Sequence, residues 1–247
     1  MRYKAICAFK GYHYHGWQIQ PHQPTIQQCV EKALYTITKS KGNVIGCSRT
    51  DARVSALGFV FHFDTDIDIP DDNFVLAFNA NLPSDIRILS IRHVDETFHA
   101  RFDVIKKRYV YTIETGRFDV FAYEYVHQLN RALDLPLMKQ ASACFLGTHD
   151  FTSFNATPLD VIADQTRTID RLDVIQEGTK IIVIVEAKAF LHHMVRMIVQ
   201  TLIEVGTHKL QPETIQTILK AKDKRACPFN APPEGLLLER VWYDNDF

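Results

Sequence analysis

The sequence predicts an α+β protein of two halves, each a largely antiparallel sheet covered by helices on one side. Strands and helices alternate along the chain, and the alternation starts again after about residue 105. Hydrophobic residues make up 46% of the 247 residues, enough for a core in each half. We therefore predict two domains, residues 1–103 and 104–247, with the cleft between them as the natural place for a site.

The first half reads β-α-β-α-β. Thr25 and Gln28 match a capping box, and the apolar residues that follow repeat at helical spacing until Gly42. The predicted elements are, in order, a strand over residues 2–9, a helix beginning after Thr25, an alternating strand over 59–64, a helix capped by Asp71 or Asp72, and a strand over 86–94.

The second half begins with a strand over residues 107–114, in which Tyr109 and Tyr111 share one face. The elements predicted after it are a helix that stops at Gly147, a hairpin of strands over 168–176 and 180–188, a helix from about His192 to Val205, and a helix that begins at Pro212. His192 and His193 are expected to point to different sides of their helix.

Composition and charge exclude several classes of protein. The N-terminus has no apolar core of signal-peptide length, and no stretch approaches the roughly 18 apolar residues of a membrane span, so we expect a cytoplasmic protein with no membrane partner. The five cysteines form no C-x-x-C pair, which indicates reduced thiols. The net charge of -1 shows no basic excess, so any nucleic-acid site must come from local clustering.

The segment between the second and third predicted elements places Arg49 and Arg53 around Asp51. A carboxylate between two cations on a loop is a candidate for chemistry. A polar turn in which Asp51 bonds nearby backbone amides explains the same residues. Local sequence leaves both interpretations open.

The chain's strongest basic patch lies just ahead of Tyr109 and consists of Arg101, Lys106, Lys107 and Arg108. Cations beside an aromatic ring suit an RNA contact with a stacked base, and Arg101 and Arg108 are candidates for that contact. A solvated strand edge whose charges oppose aggregation is the alternative interpretation.

Three histidine pairs raise the question of a metal site. The pairs are His13/His15, His62/His99 and His192/His193. None has a carboxylate or cysteine at a recognised ligand spacing, so we expect no metal. The sequence also lacks a nucleophile elbow and a glycine-rich phosphate loop.

Taken together, the motifs resemble the tRNA pseudouridine synthase A family, nearly from end to end. Each piece is a weak signal, whereas their order and spacing are specific. The matching segments are His15-Gly16-Trp17-Gln18, Arg49-Thr50-Asp51-Ala52, Asn81-Leu82-Pro83, Phe98 to Phe102, Arg108-Tyr109, Gly147 to Phe151, Phe190 to Arg196, and Ala231 to Leu236.

The resemblance implies a cofactor-free and metal-free isomerase that acts on the 3′ side of the tRNA anticodon stem-loop. It implies a homodimer whose tRNA touches both subunits, and two ferredoxin-like or RRM-like halves that share a mainly antiparallel sheet around a catalytic cleft. The family's essential aspartate falls on Asp51, in the N-terminal domain. Its arginine two residues earlier falls on Arg49, its stacking tyrosine on Tyr109 and its cleft arginine on Arg196, and Leu236 lies in a segment that closes over the site in related proteins.

The implied reaction explains these residue types. The bond from ribose to base nitrogen breaks and the sugar is rejoined to a ring carbon, so a carboxylate must act as nucleophile or base. Whether Asp51 attacks the sugar or the base, or abstracts a sugar proton, stays open at this point. The uridine must be flipped out of its stem; Arg49 and the basic patch offset that cost, and Tyr109 offers about 1 to 3 kcal/mol of base stacking.

The sequence departs from the family close to Asp51. Ser48 and Arg53 stand where glycine is usual, and Ser55 where histidine is common. Glycine is usual where the backbone takes positive φ or approaches a ligand, so Arg53 is expected to change how the RNA backbone is seated. Two alternatives therefore stay open: a non-catalytic RNA-binding or tRNA-folding paralogue, and a structural or protein-binding α+β module.

Overall fold

The computed structural model describes residues 1–157 and 164–244. Its main elements, in chain order, are β1 (Arg2–Phe9), α1 (Ile26–Thr38), β2 (Ile45–Gly46), β3 (Ser55–Asp64), α2 (Asp71–Asn81), β4 (Ile86–Val94), β5 (Lys106–Glu114), β6 (His127–Gln128), α3 (Leu135–Ala143), β7 (Gly147–Asp150), β8 (Thr166–Glu177), β9 (Lys180–Ala187), α4 (Met194–Gly206), α5 (Thr214–Ala221) and β10 (Leu236–Trp242). The predicted α+β class, with mainly antiparallel strands, is confirmed. No helix in these two ranges is long and apolar enough to cross a membrane.

The chain divides into two compact units. Unit 1 comprises Met1–Ile105 together with the described residues from Leu237 onward, and unit 2 comprises Lys106–Leu236. The last strand, β10, therefore belongs almost entirely to unit 1, although it comes at the end of the sequence.

The sheet of unit 1 has the strand order β4-β1-β3-β10, with β2 paired to β3. Its pairs are antiparallel except for β10, which runs parallel to β3. Helix α2 packs on one face, where the ring of Phe74 lies 5.2 Å from that of Tyr3 and 5.4 Å from that of Phe63, and α1 contacts α2. Because successive strand residues point to opposite faces, Lys4 lies on the face away from α2.

Strand β3 is longer than predicted and is buried on both faces, whereas its alternating pattern predicts one buried face. A loop covers the second face: the backbone N–H of Ala100 donates to Nδ1 of His62 at 3.1 Å, and the hydroxyl of Tyr243 donates to the Ala100 carbonyl at 2.6 Å. His62 is 1% exposed, and this burial, followed by the charge of Arg2, lowers its pKa to about 4.

The sheet of unit 2 has the strand order β5-β9-β8-β7, all antiparallel, with β6 parallel beside β5. Helix α3 packs on β8 and against α4. Gly206 permits that helix contact, because a Cβ there would lie 2.8 Å from the sulfur of Met138. The predicted hairpin is confirmed, with strands slightly longer than predicted on the β8 side.

Helix starts differ most from prediction. Asp71 and Asp72 do not cap α2; they form its first turn, and the residue before the helix is Pro70, which makes no side-chain cap bond. Pro212 does not begin α5, because a turn closed by the Ile215 N–H to the Pro212 carbonyl comes first. His192 and His193 also precede α4, so the prediction that they point to different sides of a helix was wrong; their ring centroids lie 4.0 Å apart.

Candidate functional site

The backbone that carries Asp51 is held by the loop after β1, which contains His15-Gly16-Trp17-Gln18. The Trp17 N–H donates to the Thr50 carbonyl at 3.2 Å. Gly16 has φ +84°, and a Cβ on it would lie 2.4 Å from the Thr50 carbonyl oxygen and 3.1 Å from the carbonyl carbon of Asp51. Only glycine combines that φ with so close an approach. The His15-Gly16-Trp17-Gln18 motif therefore fixes the position of Asp51, which is partly exposed.

The far side of the same loop is held as well. The Arg53 N–H donates to the Tyr14 carbonyl at 3.0 Å, and the Gly11 N–H donates to Oγ of the buried Ser55 at 3.0 Å. A turn within the loop is closed by the Val54 N–H to the Asp51 carbonyl at 3.2 Å. The Asp51 loop is thus a short arch with both ends bonded to the segment between β1 and α1.

Arg53 has φ +66°, so the expectation that a glycine position here takes positive φ is confirmed. A side chain in this conformation costs roughly 1 to 2 kcal/mol. The exposed guanidinium of Arg53 lies over the ring of Tyr12, with its central carbon 5.0 Å from the ring centroid. The structure therefore keeps a strained backbone and a cation next to Asp51.

Thr50, directly before Asp51, carries a buried hydroxyl for which the described residues provide no hydrogen-bond partner. The residue is 7% exposed. An unsatisfied buried hydroxyl costs about 1 to 3 kcal/mol. Such a group beside a candidate catalytic carboxylate is a candidate substrate contact.

The other predicted contacts of unit 1 lie on its surface. Arg49 and Arg101 are exposed. The guanidinium of Arg101 lies 5.8 Å from the ring centroid of Phe102, a side chain that is 69% exposed, and the ring of His99 stacks on Phe102 at 4.2 Å. A cation beside an exposed aromatic ring matches the expected type of RNA contact.

Tyr109 and Arg108, neighbours in sequence, point to opposite faces of β5. Tyr109 is 7% exposed and meets Phe190 edge to face, with ring centroids 5.2 Å apart. Arg108 lies on the other face, where its Nε donates to Glu186 at 2.7 Å. The structure therefore does not bring these two predicted contacts together on one surface.

Glu186 gathers the cations on that face of unit 2. Its carboxylate, 5% exposed, also accepts from Lys106 at 2.8 Å and from Arg171 at 3.3 Å. Burial acts to raise the pKa of Glu186, but the hydrogen bonds from Lys106 and Arg108 outweigh it and hold the pKa below its ordinary value. Lys107 faces the opposite way and is buried, so residues 106–108 do not form one continuous basic patch.

Hydrogen bonds from Arg196 and Tyr111 hold the segment that runs from Ala231 to Leu236 in unit 2. Arg196, in the first turn of α4, is 9% exposed and donates from Nε to the Ala231 carbonyl at 2.8 Å. Tyr111, fully buried, donates its hydroxyl to the Pro232 carbonyl at 2.8 Å. A Cβ on Gly235 would lie 2.6 Å from the Tyr111 ring, so only glycine fits there.

Tyr111 is the functional candidate that sequence reasoning missed. Its position on the same face as Tyr109 is readable from the alternation of β5, but its hydroxyl partner is not. Burial raises the pKa of Tyr111 well above its ordinary value, while the charge of Arg196 acts in the opposite direction. Tyr111 therefore stays a neutral donor to the segment that leads to Leu236.

Comparison with known proteins agrees with the motifs. A family model described as tRNA pseudouridine synthase matches residues 5–103 and 141–244. The chain is 43% identical over 243 residues to tRNA pseudouridine synthase A of Exiguobacterium sp., covering 98% of each chain. It is 39% identical to the Bacillus subtilis protein of that name, covering 99% of this chain and 100% of the relative, and 41% identical to tRNA pseudouridine synthase A 2 of Clostridium perfringens, covering 97% and 98%. This chain belongs to the tRNA pseudouridine synthase family.

Proposed function

We propose that this protein isomerises uridine to pseudouridine in tRNA, on the 3′ side of the anticodon stem-loop, with Asp51 as its catalytic carboxylate. The observation that carries the proposal is the arch around Asp51, in which Gly16 and Trp17 hold the Thr50–Asp51 backbone. A carboxylate fixed at its backbone and still partly exposed is suited to attack or proton transfer on a bound nucleotide. The names of the relatives support tRNA as the substrate.

The reaction is an isomerisation, so atoms and electrons balance within the nucleotide. The bond from ribose carbon to base nitrogen breaks, a bond from the same sugar carbon to ring carbon 5 forms, and the proton leaving that ring carbon is matched by the one that the freed nitrogen gains. No oxidant or reductant is consumed, so the proposal requires no redox cofactor. Asp51 is the group that either bonds the nucleotide transiently or moves a proton.

The remaining roles are proposals about how RNA is held. Tyr109 supplies the aromatic face for the base, and the arginine side chains supply cations for phosphates or for the vacated stack. The proposed RNA contacts are Arg49, Arg53 and Arg101 in unit 1, and Arg108, Tyr109, Arg196 and Leu236 in unit 2. Glu186 already binds Arg108, and Nε of the buried Arg196 already donates to the Ala231 carbonyl, so both contacts with RNA require these bonds to be shared or exchanged.

The homodimer is proposed from the family resemblance, and the domain bounds and the location are proposed from the sequence pattern. We propose a cytoplasmic homodimer whose tRNA touches both subunits, with an N-terminal domain of residues 1–103 that carries Asp51 and a C-terminal domain of residues 104–247, whose last strand β10 belongs almost entirely to unit 1. The alternative, a catalytically impaired RNA-binding paralogue, is not favoured, because the relatives at about 40% identity are named as synthases and the Arg49-Thr50-Asp51 triplet is present.

Release of tritium tests the function, because forming the new bond expels the hydrogen of ring carbon 5. Unmodified tRNA carrying tritium at that carbon of uridine is incubated with the wild type and with Asp51→Asn, which keeps the shape of the side chain and removes its charge. We expect release by the wild type and none by Asp51→Asn, with tRNA affinity retained. Equal release by both would exclude Asp51 as the catalyst; tRNA binding by the wild type without release would favour the impaired paralogue.

A further inference from the structure

The sheet of unit 1 carries a cavity of about 720 Å³ on the face away from α2. We name it the Arg92 cavity. Its lining includes Lys4 and Ile6 of β1, Arg92 of β4, Arg240 of β10, and the rings of Phe98 and Tyr243. Cations beside aromatic rings in a concave surface are typical of sites that receive nucleic acid.

Two of the cations are direct neighbours across strands. Lys4 of β1 is paired in register with Arg92 of β4, so both side chains lie on the same face about 5 Å apart at their Cβ atoms. Like charges in this position destabilise a sheet. Arg92 is exposed, and the described part of the chain offers it no carboxylate partner.

The ammonium of Lys4 is held in place by aromatic rings. Its Nζ lies 4.3 Å from the ring centroid of Tyr243 and 5.5 Å from that of Phe98. A cation over the faces of two rings is oriented by them. Lys4 therefore lies at the cavity surface next to Arg92.

A third cation comes from β10. Gly58 lets that strand approach closely, because a Cβ there would lie 2.7 Å from the Glu239 carbonyl oxygen and 3.3 Å from the Cα of Arg240. Arg240 is exposed, with its guanidinium carbon 5.0 Å from the ring centroid of Trp242. Within residues 1–157 and 164–244, Arg240 forms no ion pair.

Two carboxylates at the cavity rim accept hydrogen bonds from backbone N–H groups of the loop that carries them. Oδ1 of Asp95 accepts from the Thr97 N–H at 2.8 Å, and Oδ2 of Asp103 accepts from the His99 N–H at 2.7 Å. The hydrogen bonds at Asp95, from the Thr97 hydroxyl first, hold the pKa of that carboxyl below its ordinary value. Asp244 is exposed at the rim. Asp95 and Asp103 stabilise the loop at the edge, whereas Arg92 and Arg240 form no ion pair with any residue that the structure describes.

We propose that the Arg92 cavity binds the sugar-phosphate backbone of the RNA substrate at a distance from the target nucleotide, with Arg92 and Arg240 on phosphates. The inference rests on the proposed function. Lys4 of β1 pairs with Arg92 of β4 on one side and with His62 of β3 on the other. His62 lies seven residues along β3 from Ser55, where the Asp51 loop ends, a span of about 23 Å at 3.3 Å per residue. That span equals about seven stacked nucleotides at 3.4 Å each, so Arg92, in the same row as His62, contacts RNA outside a short hairpin around the target, whereas the cavity begins nearer to Ser55, at Gly58 and Val60.

Charge reversal tests the inference. Arg92→Glu and Arg240→Glu are compared with the wild type for the Kd of full-length unmodified tRNA across a salt series, and for tritium release from that tRNA and from a short anticodon hairpin. We expect each variant to bind full-length tRNA about tenfold more weakly, with the salt slope reduced by about 1. The KM for tRNA rises with little change in kcat, and hairpin turnover changes much less.

The control is Lys139→Glu, the same charge change at an exposed position on α3 in unit 2. We expect it to leave tRNA affinity near the wild-type value. Arg92→Glu creates an opposite-charge pair with Lys4, so its melting temperature should not fall, which separates lost binding from lost folding. Unchanged tRNA affinity and salt slope in both cavity variants would overturn the inference, and so would a change of oligomeric state in place of a change in RNA affinity. Wild-type binding without tritium release would instead count against the proposed function.

Discussion

Arg196 and Ala231 exchange two hydrogen bonds in opposite directions. Nε of Arg196 donates to the Ala231 carbonyl at 2.8 Å, and the Ala231 N–H donates to the Arg196 carbonyl at 3.1 Å. Together with the bond from Tyr111 to Pro232, this pair fixes the segment that leads to Leu236. Arg196 is therefore a positioning residue for that segment in addition to any contact with RNA.

Tyr111→Phe removes one hydroxyl from this arrangement. We expect the segment to loosen, so that kcat/KM for tRNA falls about tenfold while the free energy of unfolding falls by only about 1 kcal/mol. Steady-state kinetics and denaturant unfolding measure the two effects. Ser153→Ala is the control, because its buried hydroxyl donates to the Ile218 carbonyl at 2.7 Å and accepts from the Asp223 N–H at 3.1 Å elsewhere in unit 2. Equal losses of activity in both variants would contradict a positioning role.

Gly16→Ala should displace the Asp51 backbone. A Cβ at residue 16 would lie 2.4 Å from the Thr50 carbonyl oxygen, so backbone must move, and we expect a loss of several kcal/mol of stability and of most tritium release. Gly147→Ala separates the two causes, since Gly147 has a similar φ of +86° and no atom within 4 Å of the added Cβ. The control should lose about 1 kcal/mol and stay active. Full activity of Gly16→Ala would show that Gly16 does not fix the Asp51 backbone for catalysis.

Replacing Arg53 separates its strain from its charge. Arg53→Gly relieves the cost of φ +66°, whereas Arg53→Ala keeps it, and both variants lose the cation over Tyr12. We expect the glycine variant to be more stable than the alanine variant by about 1 kcal/mol in thermal unfolding. If the guanidinium seats the RNA, both variants bind tRNA more weakly by a similar factor. If Arg53→Gly, the more stable variant, also binds tRNA more tightly than Arg53→Ala, the backbone conformation and not the guanidinium controls tRNA affinity.

The sequence could predict the elements whose signal is local. The strand over 2–9 and the helix after Thr25 agree with the structure because alternation, helical spacing and a capping hydroxyl are all contained in the segment itself. Strands β2, β6, β7 and β10 escaped prediction, since strands of two to seven residues are defined by the partner they meet. The burial of both faces of β3 escaped for the same reason, because the covering loop comes from residues near Ala100.

Some features of the candidate site could likewise be predicted from local sequence, whereas others depend on tertiary contacts. Asp51 and Gly16 are readable from motif spacing, and positive φ at Arg53 agrees with the glycine that the family resemblance implies at this position. The bond of the Tyr111 hydroxyl to Pro232 joins residues 121 positions apart, so no local pattern contains it. The pairing of Arg108 with Glu186 is also tertiary, and it shows why a run of basic residues in sequence need not be a basic surface.

Thr50→Val tests whether the Thr50 hydroxyl, which has no hydrogen-bond partner in the described residues, contacts the substrate. Removing a buried hydroxyl that has no partner in the described residues should raise the free energy of unfolding by about 1 kcal/mol. We expect kcat/KM to fall nonetheless, because the hydroxyl lies directly before Asp51 and gains a partner when the loop moves around a bound nucleotide. Thr50→Ser, which restores the hydroxyl, should recover activity. A stable and fully active Thr50→Val variant would leave the hydroxyl without a function.

Acid should weaken unit 1 through His62. Burial, followed by the charge of Arg2, lowers its pKa to about 4, against about 6.5 in the unfolded chain, so the folded protein binds fewer protons between these values. The resulting stability is fully present above pH 6.5 and is lost as the pH falls towards 4, by about 3 kcal/mol over the window. Denaturant unfolding at several pH values measures it. His62→Gln should be less stable at pH 7.5 and lose less on acidification, whereas the exposed His22→Gln should keep the wild-type slope. A slope unchanged in His62→Gln would show that other groups cause the acid sensitivity.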